Sequence, residues 1–168
     1  MKFNIWIIPP EPIYSQIKSV INQLSLEYKS SQFKPHMTLL GVFYGENLSE
    51  VEQKTKKLTM INKLELTLDA ISFSTTYFQS VFVRINSTAK LMQLNLDAKK
   101  MFNRENNVFM PHISLLYGDH DMDTREKAAS EVKLPLASFA VDKFSITSAD
   151  SNNPKDWKII STIPITGR

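Results

Sequence analysis

Two histidines in matching surroundings are the residues best equipped to do chemistry. His36 lies in Phe33-Lys34-Pro35-His36-Met37-Thr38-Leu39-Leu40, and His112 lies 76 residues later in Phe109-Met110-Pro111-His112-Ile113-Ser114-Leu115-Leu116. Phe, Pro, His and both leucines are identical, and Thr38 is matched by the other hydroxyl residue, Ser114. In an extended segment, residues two apart share a face. His36 then projects with Thr38, and His112 with Ser114, while Met37, Leu39, Ile113 and Leu115 turn to the core. An imidazole with a pKa near roughly 6.5 serves as acid or base at neutral pH, each role contributing about a hundred- to ten-thousandfold in rate. A repeat that only packed would reproduce Phe, Pro and Leu, but it gives no reason to reproduce a titratable ring and a hydroxyl on one face. The pattern predicts an acid–base pair flanked by hydroxyls, a set of groups that can hold and cleave a phosphodiester. One histidine activates water and the other protonates the leaving oxygen, while Thr38, Ser114 and backbone donors hold the phosphate. The two halves offer nearly the same local chemistry, so the assignment of base and acid stays open.

The elements that must position these residues also come in two rounds. Asn4 to Ile8 reads as a strand stopped by Pro9-Pro10. Ile13, Ile17, Val20, Ile21, Leu24 and Tyr28 recur at helical steps. Phe33 to Phe43 is extended, Ser49 with Glu52 resembles a capping box for a short charged helix, and Leu64 to Phe73 is extended. The second round runs through a strand at Val81 to Ile85, a helical stripe of Leu91, Leu94, Ala98, Met101 and Phe102, and an extended Phe109 to Tyr117. Asp123 with Glu126 can cap another helix, Phe139 to Thr147 is extended, and Trp157 to Ile165 is a last strand. Leu68-Asp69-Ala70-Ile71-Ser72-Phe73 echoes Val141-Asp142-Lys143-Phe144-Ser145-Ile146, a second trace of duplication. Pro35 and Pro111 lack a backbone donor and suit a strand's first residue, which sets each histidine at a sheet rim. The expected fold is α+β: a bilobal, pseudo-symmetric duplicated unit of mostly antiparallel sheets lining a central cleft, with helices outside. Residues 1-168 are read as one domain of two pseudo-repeats, about 1-76 and 77-168, since 168 residues suffice for one buried core.

Composition narrows the chemistry. With no cysteine, disulfides, thiol nucleophiles and cysteine-ligated zinc are excluded, which fits a cytoplasmic chain. Met1 to Ile8 is apolar but lacks a cleavage pattern, and no run approaches roughly 20 apolar residues, so neither secretion nor membrane spanning is expected. A net charge of +3, spread over scattered lysines, favours a small anionic substrate over a long duplex. His120 among Asp119, Asp121 and Asp123 is better read as a turn into a helix cap than as a metal site. Lys34 could attract phosphate, but Met110 takes its place in the second copy.

The paired motifs His36-Met37-Thr38-Leu39 and His112-Ile113-Ser114-Leu115 resemble the His-x-Thr/Ser-x signature of the two-histidine phosphoesterase superfamily, over nearly the whole chain. Within it, Ile5-Trp6-Ile7-Ile8-Pro9, the Pro-His contexts and Leu116-Tyr117 resemble the plant and yeast type of cyclic nucleotide phosphodiesterase. The resemblance implies a water-filled cleft and metal- and cofactor-free opening of nucleoside 2′,3′-cyclic phosphates or ADP-ribose 1″,2″-cyclic phosphate. Small nucleotide cyclic phosphates are the implied substrates, to a 2′-phosphate or ADP-ribose 1″-phosphate, handled by a monomer. The alternatives are an RNA-processing 2′-5′ phosphodiesterase or RNA ligase-like enzyme acting on RNA ends, which needs a longer basic groove, and a nucleotide-binding module without catalysis, against which the intact motifs in both halves argue. The resemblance also implies His36 and His112 as the catalytic pair, Thr38 and Ser114 as phosphate-gripping hydroxyls, and Trp6 and Tyr117 as cleft aromatics. Trp6 sits in an apolar run that equally suits a core residue. Tyr117, five residues after His112, falls on the opposite pleat of a regular strand, so its placement in the cleft requires a bend or bulge.

Overall fold

The computed structural model describes residues 1–61, 63–104 and 107–167. Its strands are β1 (Lys2–Ile7), β2 (Met37–Tyr44), β3 (Leu64–Phe73), β4 (Val81–Ile85), β5 (His112–Leu116), β6 (Ser138–Val141), β7 (Lys143–Ser148) and β8 (Ile159–Pro164). The helices are α1 (Ile13–Glu27), α2 (Leu48–Leu58), α3 (Ala89–Met101) and α4 (Met122–Glu131), with single 3-10 turns at Tyr77–Gln79 and Pro154–Asp156. The strands form an eight-stranded sheet in the order β6-β3-β4-β5-β2-β1-β7-β8. All its paired neighbours are antiparallel. The expected α+β class holds, and the expected sheets are one ladder.

The duplication shows in that order. The matching strands β2 and β5 meet at the centre, flanked by their matching neighbours β1 and β4, then by β7 and β3. The third strand of each round lies on the other round's side, so the two sides of the sheet are not the two halves of the sequence. β2 and β5 touch at one register pair, Met37 with Ile113, and part beyond it. The cleft occupies that parting.

Local sequence accounts for the elements. Proline at 35 and 111 delays each central strand until the next residues, because a missing N–H cannot enter the ladder. α1 buries Ile13, Ile17, Ile21 and Leu24 and packs on β5. The core also gathers Phe3, Phe43 and Phe144, all fully buried, with Phe43 packed on Phe102 at 4.2 Å between ring centres. Fully burying one such ring is worth about 1.5–3 kcal/mol.

Three expectations need correction. The cap of α2 is Asn47, which accepts from the Glu50 N–H at 2.9 Å, while Glu50 accepts from the Glu46 N–H at 2.8 Å; the Ser49–Glu52 pair lies inside the helix. α4 is capped by Asp121 through the Thr124 N–H at 2.8 Å, two residues before the expected Asp123. In both, an earlier acceptor reaches the first orphan N–H groups. The run from Phe139 to Thr147 divides at Asp142 into β6, paired with β3, and β7, paired with β1. Among the described residues, no helix is long and apolar enough to cross a membrane.

Candidate active site

The register at the seam sets the site. Met37 opposite Ile113 in an antiparallel pair puts His36 and Thr38 on either side of one seam residue and His112 and Ser114 on either side of the other. Met37 and Ile113 are fully buried on the core side, and by strand alternation the four motif residues share the other face. All four line one cleft of about 530 Å³.

Both histidines are held in the same way. The Nδ1 of His36 contacts the Lys34 carbonyl at 2.7 Å, and the Nδ1 of His112 contacts the Met110 carbonyl at 2.8 Å. A carbonyl only accepts, so in each neutral ring Nδ1 carries the proton and Nε2 is left as the free base. Burial pushes the His36 pKa down to about 4, with His112 nearby adding a smaller push in the same direction against the pull of the Lys34 carbonyl. Burial also lowers His112, opposed by the Met110 carbonyl and assisted by the Arg84 guanidinium. His36 is buried whereas His112 is half-buried, so water reaches the second ring more readily.

The aromatic surroundings distinguish the two. Trp6 stacks on His36 with ring centres 3.7 Å apart and planes 17° apart, and it lines the cleft, so its apolar run places it at the site wall. Its counterpart, 76 residues on, is Phe82, which meets His112 edge-on at 5.3 Å. Trp6 pairs with Thr38 and Phe82 with Ser114 across the neighbouring strands. Phe82 lies in an apolar strand run, and only the repeat spacing from Trp6 marks it in the sequence.

The two hydroxyls also differ. Ser114 Oγ donates to the Phe78 carbonyl at 2.7 Å, and burial raises the pKa of the Tyr117 hydroxyl, with Ser114 opposing that rise. Thr38 Oγ1 has no hydrogen-bond partner among the described residues and is free for a ligand. Tyr117 lies just past β5 and lines the cleft, stacked on Phe33 at 3.7 Å. The break in alternation that this requires is present: β4 and β5 slip register between Val81 and Phe82, β5 ends at Leu116, and Gly118 turns the chain with φ of 138°. A Cβ on Gly118 would lie 2.4 Å from His120 Nε2, so glycine suits the turn on two counts.

Phe78 and Trp157, also missed in the sequence reading, complete the aromatic wall, 5.7 Å apart. Trp157 meets Trp6 edge-on at 5.8 Å, and its indole N–H donates to the Ser151 carbonyl at 2.7 Å. Both occupy the 3-10 turns or their flanks, where no hydrophobic period exists to point them inward. Arg125 supports this wall. Buried to 2% exposure, it donates to the carbonyls of Ser74, Thr76, Gly118 and His120, fixing the loops that carry Phe78 and Tyr117. His120 Nε2–H donates to the Tyr117 carbonyl of its own turn at 3.3 Å and lies outside the cleft lining, as does Lys34. Among the described residues, no group of three or more His, Cys, Asp or Glu side chains is placed to hold a metal ion.

The model of the family described as "Cyclic phosphodiesterase-like protein" matches residues 1–165. A cyclic phosphodiesterase from Arabidopsis thaliana is 24% identical over 170 residues, 95% of this chain and 92% of that protein. Among solved structures, E. coli LigT complexed with 3′-AMP aligns over 98% of both chains at 18% identity and a TM-score of 0.63. A Thermus thermophilus protein, TT0787, covers 99% of both chains at 14% identity and a TM-score of 0.66. Kluyveromyces marxianus Usb1 aligns over 98% of this chain and 97% of its own at 10% identity and a TM-score of 0.52.

Proposed function

We propose, on the premise that this chain belongs to the cyclic phosphodiesterase-like family and is a phosphodiesterase of the two-histidine superfamily, that it opens cyclic phosphodiesters of small nucleotides with His36 and His112. The carrying observation is the seam pair Met37–Ile113, which brings both motifs to one cleft with both histidine Nδ1 atoms tied to backbone carbonyls. That arrangement leaves two Nε2 atoms, unengaged among the described residues, in one cleft, available to a phosphate bound there.

In the reaction, water adds to phosphorus and gives its proton to one neutral Nε2. The bond from phosphorus to one ring oxygen breaks, and that oxygen takes a proton from the other imidazolium, leaving a phosphomonoester and an alcohol. Thr38 Oγ1 supplies a free hydroxyl donor to a phosphate oxygen. His36 suits the base: buried beneath Trp6, with its pKa near 4, it stays neutral. The half-buried His112 suits the acid, because burial opposes its protonated form less completely. An anionic phosphate held between the rings favours that charged form. The proposed substrates are nucleoside 2′,3′-cyclic phosphates and ADP-ribose 1″,2″-cyclic phosphate, opened without metal to a 2′-phosphate and ADP-ribose 1″-phosphate.

A panel of these substrates, assayed in chelator with wild type, His36→Ala and His112→Ala, tests the reading. Turnover by wild type and a loss of at least about a hundredfold in each variant is the expected result. Full activity in either variant overturns the acid–base assignment. A folded wild type that turns over no monomer but cleaves 2′-5′-linked RNA moves the substrate to the RNA-processing class.

A further inference from the structure

Beyond the histidines, the cleft runs on between the second half of β2 and the segment leading into β5. Its wall there includes two polar residues of α3, Asn95 and Lys99, one helical turn apart and only 5% and 8% exposed. Asn95 Nδ2 donates to the Leu39 carbonyl at 2.8 Å, and Lys99 Nζ donates to the Asn107 carbonyl. The same helix buries Leu91, Leu94 and Ala98 in the core, so an apolar residue at 99 would continue the packing.

A buried ammonium is costly unless a counter-charge meets it. Among the described residues, no carboxylate lies within ion-pair reach of Lys99, and its three donors have one carbonyl between them. None of the described residues lining the cleft is acidic, and Lys99 is the sole lysine or arginine among them. Asn4, Asn107 and Asn152 line the same cleft as neutral polar groups. The charge therefore faces a space where a ligand can complete its hydrogen bonds. It is anchored at Asn107, five residues before His112 and outside both His-x-Thr/Ser-x motifs.

We propose that Lys99 binds a second phosphate of the substrate, on the 5′ side of the ribose whose cyclic phosphate lies at the histidines. This rests on the proposed function and deepens it: the preferred substrates carry a 5′-phosphate or pyrophosphate in addition to the cyclic diester. Lys99 is a binding residue, and Asn95, one turn earlier, holds β2 in place beside it.

Equilibrium binding tests this without requiring turnover. Adenosine 2′,5′-bisphosphate and adenosine 2′-monophosphate are titrated into wild type and Lys99→Gln by calorimetry at low and moderate salt. Wild type is expected to bind the bisphosphate about tenfold or more tightly than the monophosphate, as a charge-assisted contact allows. In Lys99→Gln that preference disappears while monophosphate affinity stays within about twofold, which also reports an intact cleft. Equal weakening of both nucleotides in the variant would make Lys99 a tether between α3 and the Asn107 segment and overturn the proposal. Absence of any 5′-phosphate preference in wild type overturns it as well. If the bisphosphate preference is present but the cyclic substrates are not hydrolysed, the second-phosphate site stands and the proposed reaction falls.

Discussion

His36 offers a thermodynamic test of the site that does not depend on substrate. Its ring is buried, stacked on Trp6 and held neutral, with a folded-state pKa of about 4. In the unfolded chain a histidine titrates near roughly 6.5. Between these values the unfolded state binds the extra proton, so native stability falls as pH drops from about 6.5 toward 4. Integrating the two titrations from pH 7 to pH 5 gives a loss of about 2 kcal/mol from this single group. His36→Asn removes the titration and keeps an amide N–H near the Lys34 carbonyl. Urea unfolding of both proteins at pH 7, 6 and 5 isolates the effect, because every other titrating group is common to the two. With a urea slope of about 2 kcal/mol per molar, the wild-type midpoint should fall about 1 M further than that of the variant across this range. Parallel midpoints would refute the claim that His36 is held neutral by burial, and the assignment of His36 as the base would fall with it.

Three further outcomes follow from the surroundings of the site. Arg84 lowers the His112 pKa, so Arg84→Gln should raise it, moving the alkaline limb of the kcat/KM profile to higher pH; an unmoved limb would remove His112 as the acid. Arg125→Met leaves four loop carbonyls without their donor, and chemical denaturation should record a loss of about 3 kcal/mol or more; a change under about 1 kcal/mol would show that those loops hold themselves. Thr38→Val should lower kcat/KM more than Ser114→Ala, because only Thr38 Oγ1 is unengaged among the two hydroxyls; the reverse order in steady-state kinetics would mean that Ser114 releases Phe78 to grip the phosphate.

Much of the site was legible because a duplication writes the same instruction twice. His36 and His112 could be paired on sequence alone, and alternation put Thr38 and Ser114 beside them. The seam itself could not be read. No periodicity says that Met37 will face Ile113, or that β3 will cross to the side of β4. Cap positions drifted for a related reason: Asn47 and Ser49, like Asp121 and Asp123, are all competent acceptors, and the fold decides which meets an orphan N–H. Phe78 and Trp157 were invisible because irregular segments carry no face. Lys99 was hidden in the opposite way, since a lysine in the last turn of a helix is ordinarily a solvated partner of the helix dipole. Only its 8% exposure at a cleft wall gives it another meaning.

A duplicated pair poses its own difficulty for the proposed reaction, because identical histidines could not divide the labour of base and acid. The division must come from departures between the copies, and these are concentrated around the rings. Where the first copy stacks the Trp6 face on its histidine, the second sets the edge of Phe82 against its own. Where the first leaves Thr38 Oγ1 free, the second ties Ser114 to Phe78. His36 is sealed while His112 is half-exposed beside Arg84. Exchanging the aromatic pair, Trp6→Phe with Phe82→Trp, should therefore bring the two imidazole titrations closer together by NMR, with a fall in kcat that exceeds the change in KM. Unchanged titrations in the exchanged protein would place the asymmetry in the loops around the cleft instead of in the duplicated strands.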